Sequence, residues 1–293
     1  MASKTLVVGA TGLLGSIIYN RFKPLGPVFG TYFNAPNSGE KELIQLDARD
    51  FTQLSKLIKE LSPAKIINCV GLASVEKCEI NPEASLELNA EVPRYLAQIT
   101  NRDKIQLIHI STDHYESDSK QPRTESEVVY PINQYGLSKL EGEKLVIENN
   151  PKALILRTNF FGRSRSHRNS LLDFVLQSLY SEKQIVGFTD VIFTPVSATE
   201  IANFLSNPCS SRLNGILNFG SKEVITKFEF LTKVTQSLGR SNVIIEQGLI
   251  ANSALSVARP NYLALSSTLL EKSVGYKIPP LEKMISDAIN YQI

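Results

Sequence analysis

The 293-residue chain has no tryptophan and little cysteine, methionine or histidine, with three, two and three copies respectively. Cys69, Cys78 and Cys209 form no C-x-x-C pair, which argues against a disulfide framework or a cysteine zinc site and predicts reduced thiols. Because histidines and carboxylates are not clustered, we also predict no catalytic metal. These scarcities indicate a protein of a reducing compartment.

No excess of one charge is present either, because 31 Lys and Arg offset 29 Asp and Glu to leave a net charge of +2. Binding to a phosphate backbone needs a basic stripe, and here basic and acidic residues are intermixed, which argues against a nucleic-acid partner. The N-terminal apolar run, Leu6 to Val8, is too short for a signal peptide or a membrane span. We expect a cytoplasmic protein with no membrane partner.

Short apolar runs alternate with longer helical patterns in the first half of the chain, as is typical of βαβ units around a parallel sheet. Asn81 and Pro82 predict the start of a helix that runs to about Thr100, and a second helix is predicted from about Asn133 to Asn150. The predicted strands are Thr5 to Gly9, Val28 to Tyr32, Leu43 to Leu46, Lys65 to Val70, Ile105 to Ser111 and Ala153 to Arg157. We therefore predict an α/β fold: a Rossmann-type doubly wound parallel sheet with a smaller, partly interleaved C-terminal substrate region.

A glycine-rich loop joins the first predicted strand to a helix. Glycine permits a sharp turn, lets backbone N–H groups approach a pyrophosphate, and lets the helix pack closely on the strand. No Lys-Ser/Thr pair follows, so this is not a Walker A motif, and a dinucleotide is favoured over a triphosphate. The alternative is a turn that only packs. The residues predicted to bind the dinucleotide are Gly9, Thr11, Gly12, Leu13, Leu14 and Gly15.

The end of the second predicted strand bears on the choice of cofactor. An acidic residue there would bind the adenosine ribose of NAD, and the segment Gly30 to Asn34 contains none, which favours NADP(H) over NAD(H). No arginine is expected beside that strand end either, so the partner of a 2′-phosphate is not identified. Asp47 ends the third predicted strand and, with Ala48, is a candidate contact of the adenine, although a solvated loop aspartate is the alternative.

The alternating pattern breaks at the basic segment Arg163 to Arg168. We predict an NAD(P)-binding Rossmann domain over residues 1–162 and a mainly substrate-binding region over residues 163–293. Two later segments, a helix beginning near Ser197 and the run from Gly215 to Gly220, are candidates to rejoin the main sheet.

Tyr135 and Lys139 lie four residues apart in a helical pattern, so their side chains project from one face. A nearby ammonium stabilises a phenolate, so Lys139 would lower the pKa of Tyr135 toward neutral pH and fit it for proton transfer. Thr112 follows the fifth predicted strand, at the edge where such sheets bind ligands, and could hold a substrate carbonyl. A Y-x-x-x-K pair also occurs by chance on solvated helices, but here it follows a glycine loop and a strand-end hydroxyl. His109 is expected to be a satisfied core residue.

In these residues the chain resembles the extended short-chain dehydrogenase/reductases, and most of all the dTDP-4-dehydrorhamnose reductase family. The similar segments are Gly9 to Gly15, Ala73 to Glu79, Asn89, Ser111 to Asp113, Pro131 to Lys139, Gly142-Glu143, Leu156 to Gly162 and Ala258 to Pro260. The resemblance implies hydride transfer from a nicotinamide cofactor to the 4-keto group of a nucleotide-linked deoxysugar in carbohydrate biosynthesis. It also leaves room for a homodimer.

The resemblance assigns roles to individual residues. It implies that Thr112, Tyr135 and Lys139 are catalytic and that the last two also contact the cofactor. Val70, Gly71 and Leu72 would line the cofactor. The residues implied to face the substrate are Asp113, Asn159, Phe160 and Arg259, with Arg259 at the diphosphate.

The chain also departs from the family pattern. After S-T-D the family continues Tyr-Val-Phe-Asp-Gly, whereas this chain has His114-Tyr115-Glu116-Ser117-Asp118 and one residue fewer before the tyrosine. The loop facing the sugar has therefore changed, which leaves the identity of the sugar open. His114 and His167 are loop residues that could act at a site.

Two other functions stay open. One is a nucleotide-sugar epimerase or dehydratase of the same superfamily; dehydratases need an acidic residue beside the catalytic hydroxyl, and Asp113 follows Thr112. The short substrate region and the Arg259-Pro260 motif favour a reductase. The other is a non-catalytic, cofactor-binding regulatory subunit, because the chain also resembles the beta subunit of methionine adenosyltransferase.

Overall fold

A computed structural model describes residues 3–34, 41–163, 170–181, 185–240 and 243–291. Most of the basic segment from Arg163 to Arg168, including His167, lies outside the described residues.

A seven-stranded, all-parallel sheet forms the centre of the molecule. Its strands are β1 (Thr5–Val8), β2 (Val28–Tyr32), β3 (Leu43–Gln45), β4 (Lys65–Asn68), β5 (Gln106–Ile110), β6 (Leu154–Thr158) and β7 (Gly215–Phe219). Their order across the sheet is β7-β6-β5-β4-β1-β2-β3, so the direction of winding reverses between β1 and β4. Open α/β sheets bind ligands at the carboxyl ends of the strands at such a reversal.

Alternation along each strand divides the apolar core between the two faces of the sheet. On one face, Val7 and Ile67 pack with the later helices of the chain. On the other face, Leu6 and Ile66 pack with residues of the second and fifth helices. Because both faces are covered, the central strands are nearly continuous apolar runs.

Helices flank the sheet and extend beyond it. They are α1 (Leu13–Phe22), α2 (Phe51–Leu61), α3 (Val75–Ile80), α4 (Pro82–Leu86), α5 (Val92–Asp103), α6 (Gln134–Asn149), α7 (Leu171–Ser181), α8 (Ala198–Ser206), α9 (Lys227–Ser237), α10 (Thr268–Val274) and α11 (Leu281–Asn290). Short 3-10 turns cover Lys23–Leu25, Pro208–Arg212 and Ile250–Asn252. Within the described residues, no helix is both long and apolar enough to cross a membrane.

Side-chain caps account for several of these helix starts. Asn81 caps α4 by accepting from the Ala84 N–H, with Pro82 at the first helical position, as predicted. The single helix predicted from there to about Thr100 is instead two α-helices joined by a π-helical turn at Glu87–Glu91. Such turns insert one residue into the helix and often occur at functional sites.

The C-terminal part of the chain is interleaved with the sheet. The strand β7 pairs along its whole length with β6, and α8, capped by Ser197, packs on α1. Three two-stranded pairs complete this part: 160–161 with 196–197, 192–193 with 225–226, and 185–188 with 245–248. The predicted fold class is confirmed, while the boundary at residue 162 stays a prediction.

Candidate active site

The glycine loop lies at the carboxyl end of β1, beside the reversal of the sheet. Gly9 has φ +86°, and a Cβ there would lie 2.9 Å from the Val70 side chain. A Cβ on Gly15 would lie 2.1 Å from the Gly9 carbonyl oxygen, so helix and strand pack too closely for any larger residue. Gly12, by contrast, is exposed, and a Cβ there would meet only the Gly9 oxygen, at 3.5 Å.

Gly12 is also the N-cap of α1 and supplies no side-chain hydrogen bond. The first N–H groups of that helix are therefore left for an anion, which the helix dipole also favours. Of the other predicted loop residues, Thr11 is half-buried and Leu13 packs near Gly162. The Leu14 side chain is in the core, so only its backbone can face a ligand.

The segment after β4 is held by Asn89, from the π-helical turn. Its Oδ1 accepts from the Leu72 N–H at 2.9 Å, and its Nδ2 donates to the Leu72 carbonyl at 2.9 Å. Next to this clamp, a Cβ on Gly71 would lie 2.8 Å from Asn89 Oδ1 and 4.0 Å from Lys139 Nζ. Asn89 Nδ2 also donates to Ser138 Oγ at 3.0 Å, so the turn links the predicted cofactor wall to the helix that carries Tyr135 and Lys139.

Arg49 is a residue that the sequence reasoning missed. Its guanidinium forms a bidentate pair with Asp47, with a shortest distance of 2.7 Å, and hydrogen bonding to Arg49 lowers the pKa of that carboxyl. The same guanidinium lies 5.8 Å from the ring centroid of Phe33, immediately after β2. An arginine therefore does stand beside the end of the second strand, contributed by the loop after β3. Ala48 is buried in the apolar core together with residues of α2.

Helix α6 carries Tyr135 and Lys139 to the end of β5. The Lys139 ammonium donates to the Ile110 carbonyl at 2.7 Å, and burial lowers the pKa of Lys139 to about 8, an effect that the Glu143 carboxylate opposes. The Tyr135 ring is in edge-to-face contact with His114, with centroids 5.3 Å apart. The backbone N–H of His114 donates to Thr112 Oγ1 at 3.2 Å. The structure thus brings the three predicted catalytic residues to one strand end.

A buried ion pair underlies this strand end. Glu143 and Arg157 form a bidentate pair at 2.7 Å, with side chains 1% and 6% exposed. Ser111 donates a short hydrogen bond to the Glu143 carboxylate, and the Tyr115 hydroxyl donates at 3.1 Å. Every oxygen of this carboxylate is therefore engaged, as a buried charge requires.

Two of the four predicted substrate residues, Asp113 and Asn159, are hydrogen-bonded to each other. Asp113 is buried and accepts from Asn159 Nδ2 at 2.7 Å. Burial raises the pKa of the Asp113 carboxyl, and the ammonium of Lys227, which starts α9, opposes that rise. Burial lowers the pKa of Lys227 to about 8, and its Nζ lies 3.4 Å from the Phe193 ring centroid. Sequence reasoning could not find Lys227, because it has no motif and reaches the site from the C-terminal region.

Phe160 and Arg259 complete the predicted set. Phe160 is half-buried in the short strand 160–161 and packs against the core. Arg259 forms an ion pair with Glu76 of α3, while its Nε is buried and has no hydrogen-bond partner among the residues described. The guanidinium is thus held at one end and retains donor capacity at the other.

His109 is buried in β5, as predicted, but it is not fully satisfied. Asn68 Oδ1 accepts from the Val70 N–H, so Asn68 Nδ2 donates to His109 Nδ1 at 3.1 Å. That bond places the proton on Nε2, which has no hydrogen-bond partner in the described part of the chain. Burial holds the pKa of His109 well below 6.5. Among the described residues, no three His, Cys, Asp or Glu side chains are grouped to hold a metal ion.

A parallel sheet with a glycine loop after its first strand, and a Tyr-x-x-x-Lys helix facing a strand-end Ser-Thr, defines an extended short-chain dehydrogenase/reductase. The profile of the RmlD substrate binding domain matches residues 3–292. The chain belongs to this family, and the predicted resemblance is confirmed.

Individual relatives agree with this assignment. "Probable low-salt glycan biosynthesis reductase Agl14" of Haloferax volcanii is 31% identical over 94% of each chain. Methionine adenosyltransferase 2 subunit beta of Mus musculus is 24% identical over 94% of this chain and 84% of its own. The crystal structure of dTDP-4-dehydrorhamnose reductase from Bacillus anthracis, in complex with NADP, superposes with a TM-score of 0.86 at 22% identity, covering 99% of this chain and 98% of that one. At that identity the superposition shows the fold alone.

Proposed function

We propose that this protein is an NADP(H)-dependent reductase that acts on the 4-keto group of a nucleotide-linked deoxysugar. The observation that carries the proposal is that Thr112, Tyr135 and Lys139 meet at the end of β5. Beside them lies a glycine loop that leads into the N-terminus of α1, where a pyrophosphate would bind. Membership of the RmlD family and the similarity to a glycan biosynthesis reductase support it.

The residues present fit a dinucleotide. The pyrophosphate would meet the N–H groups at the start of α1, over the space left by the missing Cβ of Gly12. The wall formed by Val70, Gly71 and Leu72 would lie along the nicotinamide half, with the Lys139 ammonium near its ribose. When bound, the reduced nicotinamide supplies the hydride.

The side chains handle the proton. Tyr135 would protonate the alkoxide that forms as the carbonyl is reduced, while the ammonium of Lys139 stabilises the phenolate left behind. Thr112 would donate a hydrogen bond to the same oxygen. The Ile110 carbonyl holds Lys139 Nζ in place, so the charge beside the phenol is positioned before substrate binds.

Arg49 supports the choice of NADP(H). It lies at the end of β2, where the adenosine ribose is expected, and it presents a guanidinium next to Phe33. A guanidinium is well suited to a phosphate, while Asp47, which it orients, would contact the adenine.

This preference can be tested with Arg49→Gln. A lost hydrogen bond to a charged group at an exposed position predicts about a tenfold rise in the dissociation constant of NADPH and little change for NADH. Lys56→Gln, on the exposed face of α2, is the matched control. Wild-type protein that binds NADH more tightly than NADPH would contradict the NADP(H) proposal.

On the substrate side, Arg259 would bind the diphosphate with the guanidinium that Glu76 orients, and Asp113 with Asn159 would bind sugar hydroxyls. Phe160 would form an apolar side of the pocket. Together these residues would select a nucleotide sugar rather than a free sugar.

The activity is tested by mixing the protein with NADPH and a panel of 4-keto nucleotide sugars and following the loss of reduced nicotinamide. We expect turnover of at least one, and a fall of about 10²- to 10⁴-fold in kcat for Tyr135→Phe. Sugar isomerisation without consumption of NADPH would favour the epimerase alternative. Tight NADPH binding without turnover of any sugar would favour the regulatory-subunit alternative.

A further inference from the structure

His114 contacts two of the proposed catalytic residues, one through its ring and one through its backbone. Its ring contacts the Tyr135 phenol edge to face, and its backbone N–H is bonded to Thr112 Oγ1. The histidine stands where the family has a tyrosine after S-T-D, so it belongs to the part of the site in which this chain differs from the family pattern.

Asn133 determines which nitrogen of His114 carries the proton. Asn133 is buried, and its amide orientation is fixed from two sides. The Gly136 N–H can only donate, so its partner at 2.9 Å is Oδ1; the Ala258 carbonyl can only accept, so its partner at 2.9 Å is Nδ2. Nδ2 therefore donates to His114 Nε2 at 3.0 Å, and Nε2 must be an unprotonated acceptor.

The proton of the neutral ring is consequently on Nδ1. Within the described residues, Nδ1 makes no hydrogen bond. It is not a buried atom, so a ligand can reach it. The surroundings also disfavour an imidazolium: burial lowers the pKa of His114 to about 4, reinforced by the charges of Arg259, Lys227 and Arg123 and opposed by Glu76. Among the residues that the structure describes, the His114 ring thus presents a fixed N–H donor without a protein acceptor.

We propose that His114 is a specificity-determining residue whose Nδ1–H donates to the sugar hydroxyl next to the reacting carbonyl. The inference rests on the proposed function. Tyr135 and Thr112 would both meet the carbonyl oxygen, and the His114 ring lies against Tyr135, so we place its donor at the substituent next to the carbonyl. For a 4-keto sugar whose other neighbouring carbon carries the ring oxygen, that substituent is the 3-hydroxyl.

The experiment combines protein variants with substrate analogues. Wild type, His114→Phe and His114→Asn are assayed with a thymidine-diphosphate 4-keto-6-deoxyhexose and with its 3-deoxy and 2-deoxy analogues. Phenylalanine keeps the ring without a donor, and asparagine places an amide N–H near the position of Nδ1. We expect His114→Phe to lower kcat/KM about tenfold on the parent and 2-deoxy sugars but much less on the 3-deoxy sugar, with partial rescue by His114→Asn.

An equal loss on all three sugars, or no loss on any, would overturn the proposal, because a merely structural role does not depend on the 3-hydroxyl. If wild type turns over none of the sugars, the proposed function fails. In that case calorimetric binding of the three sugars to wild type and His114→Phe, in the presence of NADPH, decides the role of His114: a binding difference confined to sugars with the 3-hydroxyl supports it, and any other pattern refutes it.

Asn133→Asp provides a second test. Aspartate caps a helix as well as asparagine does, so α6 is retained, but its carboxylate cannot donate to Nε2 and draws a proton onto it. In the wild type the pKa of His114 is about 4. We expect this pKa to rise in Asn133→Asp, so that kcat/KM of the variant changes with pH at values above 4. That new dependence disappears in the double variant with His114→Asn. A pH profile unchanged in Asn133→Asp would contradict the assigned tautomer.

Discussion

Replacing Glu143 by glutamine tests the buried ion pair beneath the candidate active site. Glutamine keeps the shape of the side chain but leaves Arg157, whose side chain is 6% exposed, without its counter-charge. Breaking a buried pair in this way costs about 3–5 kcal/mol of folding free energy. For a chain of this size, each kcal/mol lowers Tm by roughly 2–4 °C, so we expect a fall on the order of 10 °C.

The same substitution has a functional consequence with a defined sign. The Glu143 charge raises the pKa of Lys139, which burial lowers to about 8, so Glu143→Gln lowers it further. In the proposed mechanism the ammonium is the active form, so activity should fall as pH rises through this pKa. The alkaline limb of the profile of kcat/KM against pH therefore moves to lower pH in the variant.

Thermal unfolding and a pH-rate profile measure both effects. Glu148→Gln, exposed on the same helix, is the control and should change stability by less than about 0.5 kcal/mol. Replacing Glu143 and Arg157 together by leucine should cost less than Glu143→Gln alone, apart from the lost acceptor for Ser111 and Tyr115. A loss below about 1 kcal/mol in Glu143→Gln would refute the buried charge pair.

Three further predictions concern the loop, the core and the pocket. Gly15→Ala should unfold the protein or sharply lower its Tm, because a Cβ would lie 2.1 Å from a backbone oxygen, whereas Gly12→Ala should fold normally yet bind NADPH weakly in a fluorescence titration. The folded-state pKa of His109 is well below 6.5, so the unfolded state takes up a proton that the folded state does not, and stability should fall as pH drops below 6.5; urea titrations across this range should show a shallower fall for His109→Phe. Lys227→Met removes the cation that opposes the raised pKa of Asp113, and we expect a several-fold higher KM for the nucleotide sugar; an unchanged KM would remove Lys227 from the pocket.

Features with a local cause were predictable from the sequence. The alternation of strand and helix patterns was enough to predict a parallel α/β sheet. Asn81 was enough to predict the start of α4, because a capping side chain acts within one helical turn. Tyr135 and Lys139 could be placed together because their spacing alone puts them on one helix face. The strand ends then brought Thr112 to the same edge.

Features that depend on distant contacts could not be predicted. Arg49 follows β3 in sequence but lies beside Phe33 after β2, and no local pattern records that approach. The π-helical turn carries Asn89, which bonds to the Leu72 backbone 17 residues away, a contact made only in the folded chain. The orphan Nε2 of His109 likewise depends on the orientation of Asn68, which the sequence does not specify.

The strand β7 has a consequence for how the chain matures during synthesis. Until Gly215–Phe219 has left the ribosome, one edge of β6 is unpaired. The residues of β6 are all buried in the folded protein, and an exposed apolar edge strand is a template for aggregation. The sheet therefore reaches its final width only after residue 219 has been made. A chain stalled on the ribosome soon after residue 162 would be an aggregation-prone intermediate with β6 as an exposed edge strand. For the same reason the C-terminal region cannot be exchanged between relatives as a detachable module unless β7 is left with its own sheet.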